Sequence, residues 1–300
     1  MIKATDLVKK FDDFTALKTL NTQIERGSIY GLVGSNGSGK STFLRLIAGV
    51  YRPDGGSIQI EGADVFENMQ LKDRIYFVAD DLYFFAQSTV NDMADFYKGL
   101  YSNWSEEKYK KLCEIFPINP KNKISTFSKG MKRQAAIILA LSTQPDYMLL
   151  DEAFDGLDPI IRTALRKLIS DDIAARNATV IISSHNLREL EDLCDHVGLL
   201  HAGKILFERE LDEVKLGFCK VQAAFGTAPS LEALKQHLQI MQYDTKGSLV
   251  NIIVRGDIDS TLKYINSLSP IFSEAVPLTL EEVFIHEMEA VGYDYNNIIF

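Results

Sequence analysis

Apolar residues fall into short bare runs divided by glycine, proline and charged clusters. Gly27-Ser28-Ile29-Tyr30-Gly31-Leu32-Val33 predicts a strand, and the glycine cluster behind it leads into a helical segment, Ser41–Ala48. The order is strand, loop, helix. Pro53-Asp54-Gly55-Gly56 predicts a turn, after which Ser57–Glu61 alternates as a strand with one wet face does. From about Asn91 to Ser142 the pattern is mostly helical: Trp104-Ser105-Glu106-Glu107 opens an amphipathic stretch, and Pro117 and Pro120 break it. Tyr147–Leu150 and Thr179–Ser183 are apolar runs without alternation, the mark of strands covered on both faces in a parallel sheet. Pro159–Ala175 reads as the crossover helix between them.

After Gly203 the character changes. Val221–Phe225, Leu231–Leu238, Leu249–Val254, Ser260–Leu268 and Leu280–Ala290 form a succession of strand-like and helix-like segments. The predicted architecture is therefore α/β, with a first domain over residues 1–216, a helical subdomain at about 88–143, and a small α/β domain over 217–300. No internal repeat or low-complexity tract interrupts it.

The chain has 300 residues with 46% hydrophobic and 24% charged content, which suits packed globular domains and argues against a disordered chain. Its formal net charge of −9 supplies no basic stripe for a phosphate backbone, so no nucleic-acid partner is expected. The longest apolar run, Ala135–Leu141, is far short of the roughly 20 residues a bilayer-spanning helix needs. Met1-Ile2-Lys3-Ala4-Thr5-Asp6 carries no secretory pattern, so the expected location is the cytoplasm. Cys113, Cys194 and Cys219 are widely spaced and form no CxxC pair, and all three read as reduced structural residues.

Candidate chemistry begins between the first bare strand and its helix. Gly34-Ser35-Asn36-Gly37-Ser38-Gly39-Lys40-Ser41 fits G-x-x-x-x-G-K-[ST], a loop whose N–H groups curl around phosphate oxygens while the next helix, opening with Ser41 and Thr42, turns its positive end toward them. In that role Lys40 reaches the β- and γ-phosphates and the Ser41 hydroxyl ligates Mg²⁺. Asp151-Glu152 directly follows a bare strand, at the end of a parallel sheet where ligands bind. Asp151 suits the magnesium shell, and Glu152, one residue on, suits the base that polarises an attacking water. His185 ends the next bare strand in the same way and is positioned to bridge the γ-phosphate and that water.

With those motifs in place, the residues up to about Leu216 resemble the nucleotide-binding subunit of ATP-binding-cassette (ABC) transporters. The specific addition is Phe127-Ser128-Lys129-Gly130-Met131 at the place of that family's L-S-G-G-Q signature, followed by a helix over Lys132–Ser142. Ordinary P-loop kinases and small GTPases lack this element. The resemblance implies a P-loop NTPase cassette that binds ATP and Mg²⁺, with Ser128 and Gly130 capping the γ-phosphate held by an opposite subunit. Asp155-Gly156-Leu157-Asp158 resembles the D-loop that joins the two sites of such a dimer. Phe11 matches the aromatic that stacks on adenine, and Phe14 is the second candidate.

The sequence departs from the family at three places. Lys129 replaces the first signature glycine and Met131 the glutamine, as in S-K-G-M cassettes that work with separately encoded permeases. The Lys129 side chain either strengthens the grip on phosphate or points to solvent. In Ile75-Tyr76-Phe77-Val78-Ala79-Asp80-Asp81 the family's magnesium-binding glutamine is missing, and Asp80 is its nearest match as a metal ligand. Tyr83-Phe84-Phe85 either lines a groove for a permease helix or packs inside. Pro277–Phe284 resembles the closing L-E-E-V-F of exporter-type cassettes, and reads equally as an amphipathic surface helix.

The resemblance thus implies an ATPase subunit that pairs head-to-tail, as a homodimer or with a related cassette, and drives an integral membrane permease, an exporter by its branch. Its place would be the cytoplasmic face of the plasma membrane. The alternative is a soluble cassette ATPase acting on ribosomes or DNA. Against that stand a single phosphate loop and the absence of heptads between Lys40 and Asp151.

Overall fold

The computed structural model describes residues 1–191, 193–211 and 217–290. Contacts divide the chain into Met1–Glu208 and a second unit from Arg209. The boundary expected at 216/217 lies beside residues outside the described ones, and the division falls earlier, inside the strand Lys204–Glu210. Residues 291–300, the end of the expected second domain, also lie outside the described residues.

The first unit opens with β1 (Ile2–Phe11) and β2 (Phe14–Ile24), an antiparallel hairpin turned at Asp12 with φ 49°. The hydrophobic pattern marks no element here. Register shifts between Ala4 and Leu7, and again before Lys10, break the two-residue period that would have revealed it. Next come β3 (Ile29–Val33), α1 (Lys40–Ile47), β4 (Gly55–Ile60), β5 (Ala63–Asp64), α2 (Met69–Lys72) and β6 (Ile75–Val78). The helical insert holds α3 (Val90–Leu100), α4 (Glu106–Ile115) and α5 (Lys129–Ser142). The unit finishes with β7 (Tyr147–Asp151), α6 (Pro159–Arg176), β8 (Thr179–Ser184), α7 (Leu187–Glu191), β9 (His196–His201) and β10 (Lys204–Glu210).

These strands make two sheets, β2-β1-β4-β5 and β10-β9-β3-β8-β7-β6. Strands β6, β7, β8, β3 and β9 run parallel, and every residue of β3, β7 and β8 is buried, as bare apolar runs require. Phe43, Leu44, Leu46 and Ile47 of α1 pack with Leu7, Leu17 and Leu20 of the hairpin and with Leu149 and Ile181 of the parallel sheet. Helix α1 is thereby fixed between the two sheets, with its N-terminus at the ends of β3, β7 and β8.

Helix starts follow local chemistry. Thr89 and Asp92 form a reciprocal box at α3, Ser105 caps α4, and Ser128 accepts from the Met131 N–H at α5. That last cap starts α5 one turn before the expected Lys132. Asp158 accepts from the N–H groups of Ile160 and Ile161 ahead of Pro159, and Asn177, left-handed at φ 54°, closes α6.

One surface cluster makes the fold sensitive to acid. Glu61, at the end of β4, accepts two bonds from Arg74, at 3.0 and 2.9 Å, and one from the Tyr147 hydroxyl at 2.9 Å. The Arg74 bonds outweigh partial burial and hold its carboxyl at about 2, against an ordinary 4.5. A depressed carboxylate stabilises the fold above its ordinary value and loses that contribution as pH falls toward 2. Glu61→Gln is therefore expected to lower the thermal midpoint at pH 7 and to converge with the parent near pH 2. Parallel melting curves across that range would exclude the assignment.

The second unit contains β11 (Phe218–Ala224), α8 (Leu231–Lys235), β12 (Gln239–Lys246), β13 (Leu249–Arg255), α9 (Ile258–Ser267), β14 (Phe272–Val276) and α10 (Leu280–Ala290). Its antiparallel sheet, in the order β12-β13-β11-β14, is the ferredoxin-like βαββαβ arrangement. Val221, Ala223, Val250, Ile252 and Val254 cover α8 and α9 through Leu234 and Ile265. Strands β12 and β14 are edge strands with mostly wet residues, and no apolar run announces them. The L-E-E-V-F segment forms the start of α10. Its Leu280, Val283 and Phe284 are buried, and Val283 packs with Leu278, Phe218 and Ile253, so this amphipathic helix is docked on its own domain. All three cysteines are free thiols, and no described helix is long and apolar enough to cross a membrane.

Candidate functional site

The loop after β3 is shaped by what its glycines avoid. A Cβ on Gly34 would lie 2.3 Å from the Leu200 carbonyl oxygen and 2.6 Å from the Ser38 hydroxyl. Gly39 has φ 113° and sits against Leu17. Around Gly37 nothing approaches within 4 Å, which leaves the crest of the loop open to a ligand. No side chain caps α1, so its first N–H groups are available to an anion. Ser38 lies beneath the loop, buried, its carbonyl accepting from the Gly203 N–H at 3.0 Å.

Lys40 is folded back into the loop. Its Nζ donates to the Gly34 carbonyl at 2.6 Å and stands 3.3 Å from Glu152 Oε1, with only 6% of the side chain exposed. Glu152 Oε2 in turn meets His185 Nδ1 at 2.9 Å. The carboxylate is therefore held between an ammonium and an imidazole at the mouth of the loop. A cleft of about 250 Å³ brings Ser35, Asn36, Gly37 and Gly39 to Thr42 together with Ala16, Phe14, Asp80 and Glu152.

Asp151 ends β7 fully buried. Its Oδ1 accepts from the Ser183 hydroxyl at 2.5 Å, while its Oδ2 has no hydrogen-bond partner among the described residues. A buried carboxylate oxygen without a donor is a costly arrangement unless a cation completes it. The donor set, Asp151 with the Ser41 hydroxyl, is all oxygen and suits Mg²⁺. The same Ser183 hydroxyl accepts from the Glu152 N–H at 3.2 Å, so one side chain of β8 locates both acidic residues. The serine pair Ser183-Ser184 that closes the apolar run Val180–Ile182 is the signal for it.

The remaining expected residues lie off the phosphate loop itself. Phe14, 62% exposed, stands on the wall of the cleft, whereas Phe11 packs edge-on against Tyr51 with ring centroids 5.3 Å apart and Lys9 Nζ above it. Ser128 and Gly130 are outside this cleft, at the start of α5, where a Cβ on Gly130 would come within 2.9 Å of the Gly156 carbonyl oxygen. Asp80 lines the cleft, but its Oδ1 is bound by Arg133 Nη2 at 2.7 Å, leaving Oδ2 as the oxygen open to a metal.

Lys129 does not grip this loop: its side chain is 68% exposed and lies on the surface beside Asp155. Its Nζ pairs with Asp155 Oδ2 at 2.7 Å, and that ammonium, working against slight burial, pulls the Asp155 carboxyl below its ordinary range. Beyond the aspartates, the hydrophobic pattern also passed over Arg133. Arg133 stands just ahead of the apolar run Ala135–Leu141 and is buried along with it, and a buried guanidinium requires anionic or carbonyl partners. Tyr83 and Phe85 are exposed, and Phe85 packs edge-on against Phe96 of α3.

Comparison with known proteins agrees with this geometry. The family model described as ABC transporter matches residues 17–155. The ABC transporter ATP-binding protein YtrB of Bacillus subtilis is 30% identical over 95% of this chain and 97% of its own length. The bacitracin transport ATP-binding protein BcrA of Bacillus licheniformis is 35% identical over 72% of this chain and 71% of its own. Among solved structures, one described as the ATP-binding subunit of an ABC transporter aligns with TM-score 0.66 and 26% identity, covering 72% of this chain and 92% of that one. The MJ0796 cassette, solved as a dimer in a post-hydrolysis state with ADP and Pi, shares the fold at TM-score 0.63 and 21% identity, over 70% of this chain and 99% of its own. With a relative 30% identical along almost the whole of both chains, the chain belongs to the ABC transporter family, as one of its ATP-binding, ATP-hydrolysing subunits.

Proposed function

We propose that this subunit closes head-to-tail with a second cassette around two MgATP and powers a separate integral membrane permease, in the exporting direction, from the cytoplasmic face of the membrane. The observation that carries the reading is the Glu152 carboxylate held between Lys40 and His185 at the mouth of the phosphate loop. BcrA, named for bacitracin transport, supports the transport role.

The roles follow from position. The loop from Gly34 to Thr42 receives the β- and γ-phosphates on its N–H groups, and Lys40 exchanges its Gly34 carbonyl for phosphate oxygens. Ser41 and Asp151 would hold Mg²⁺, and the ion would neutralise charge gathering on the leaving phosphate. Glu152 accepts a proton from the attacking water as the bond between the γ-phosphorus and the bridging oxygen breaks. His185 Nδ1 steadies that carboxylate. Adenine falls to the hairpin end carrying Phe11 and Phe14.

Ser128 and Gly130 lie away from their own loop, so in this reading they cap the triphosphate of the opposite cassette. Hydrolysis then depends on pairing. Specific ATPase activity is expected to rise with protein concentration in the micromolar range, and Ser128→Ala to move that rise to higher concentration. Turnover strictly proportional to protein at every concentration would refute the composite site. A membrane-embedded partner recovered in mild detergent supports the permease assignment, whereas ribosomes or DNA recovered instead would replace it.

A further inference from the structure

Arg133 is the largest fully buried side chain among the described residues, at 1% exposure. Its Nη1 donates to the main-chain carbonyl of Glu152 at 2.6 Å. Its Nη2 donates to Asp80 Oδ1 at 2.7 Å and lies 3.7 Å from Asp155 Oδ2. Nε has no partner among the described residues. One guanidinium thus joins three segments: the loop after β6, the residue after β7 and the loop ahead of α6.

Glu152 needs such a hold. Its φ is 50°, in the left-handed region that non-glycine residues rarely adopt, and this turn is what sends the carboxylate toward Lys40 and His185. The peptide on its N-terminal side is fixed by Ser183, whose carbonyl accepts from the Glu152 N–H at 3.1 Å. The carbonyl on the other side accepts from Arg133 at 2.6 Å and, more loosely, from the Asp155 N–H at 3.2 Å. Asp80, which anchors the other arm of Arg133, has a side chain 55% exposed. It lies just ahead of the exposed aromatics Tyr83 and Phe85.

We propose that Arg133 is a positioning residue for Glu152 and that Asp80 governs it from the loop after β6. Displacement of that loop withdraws Asp80, and a buried guanidinium cannot remain without an anion. Asp155 is the next carboxylate within reach, so the guanidinium swings toward it and its bond to the Glu152 carbonyl is released. The loop beside the exposed aromatics thereby sets the aim of the general base by passing one cation between two aspartates. This deepens the reading of Glu152 given above and rests on it.

The test uses the full chain carrying Asp80→Asn, Asp80→Glu, Arg133→Lys, and Asp80→Asn with Arg133→Lys. At saturating Mg²⁺, kcat for ATP is expected to fall about tenfold in Asp80→Asn and in Arg133→Lys, with KM within about twofold of the parent. Asp80→Glu keeps most of the rate, and the double variant is no slower than Arg133→Lys alone, because both changes cut one linkage. A parental kcat in Asp80→Asn overturns the proposal, as do additive losses. So does a rise in the Mg²⁺ requirement of Asp80→Asn with full rescue by excess metal, which makes Asp80 a metal ligand instead. Amide exchange over residues 152–157, measured without nucleotide, is expected to quicken in Asp80→Asn, and unchanged exchange also overturns the proposal. That last readout needs no turnover, so an inactive parent protein would sink the hydrolytic reading while leaving this linkage measurable.

Discussion

The Glu152→Gln protein is expected to keep ATP while its turnover falls by about 10²-fold or more, the loss that follows removal of a general base. The substitution preserves shape and replaces one oxygen with an amide. It removes the negative charge 3.3 Å from Lys40 Nζ and 2.9 Å from His185 Nδ1. A triphosphate then enters a site with one anion fewer to repel it, so affinity holds or improves as hydrolysis stops. With MgATP the variant accumulates as a closed pair, seen as a doubled mass in light scattering. A parental rate in this variant would remove Glu152 from the chemistry, because no other described carboxylate meets both Lys40 and His185.

The second large effect concerns the cation of the loop. Lys40→Ala is expected to weaken ATP binding about 10²-fold, since two charge-assisted bonds to phosphate at about 1.5 kcal/mol each amount to roughly 3 kcal/mol. The lysine is buried on the Gly34 carbonyl and beside Glu152. It has little side-chain freedom left to lose when ATP arrives, which makes it an efficient ligand. Isothermal titration with MgATP measures the loss directly. Retained affinity would mean that the N–H groups of the loop and α1 hold the triphosphate without it. Turnover in Lys40→Ala falls too, but binding is the discriminating quantity.

The phosphate loop, the Asp-Glu pair and the strand-end histidine were legible because each is a local pattern. A strand buried on both faces is a bare apolar run, and whatever follows it stands at the ligand-binding edge of the sheet. Nothing comparable marks the β1–β2 hairpin, whose bulges scramble its alternation, or β12 and β14, which are wet edge strands. Contacts across long separations were equally hidden. That Arg133 meets Asp80 and Glu152, or that Lys129 meets Asp155, depends on the helical insert folding back over the ends of β6 and β7. Composition holds no trace of such a meeting. Position 80 shows the limit well: matched to a family motif it is a metal ligand, while in the fold its first partner is an arginine.

The start of α5 also explains which letters of the signature motif are open to change. At position 129 a side chain extends to the carboxylate of Asp155, so a lysine is accommodated there. At position 130 any side chain would be driven against the peptide oxygen of residue 156. The two glycines of the parent motif are therefore unequal. One is a matter of taste, free to drift toward charge as a lineage diverges, and the other is a steric necessity that should resist substitution as long as these two turns remain in touch.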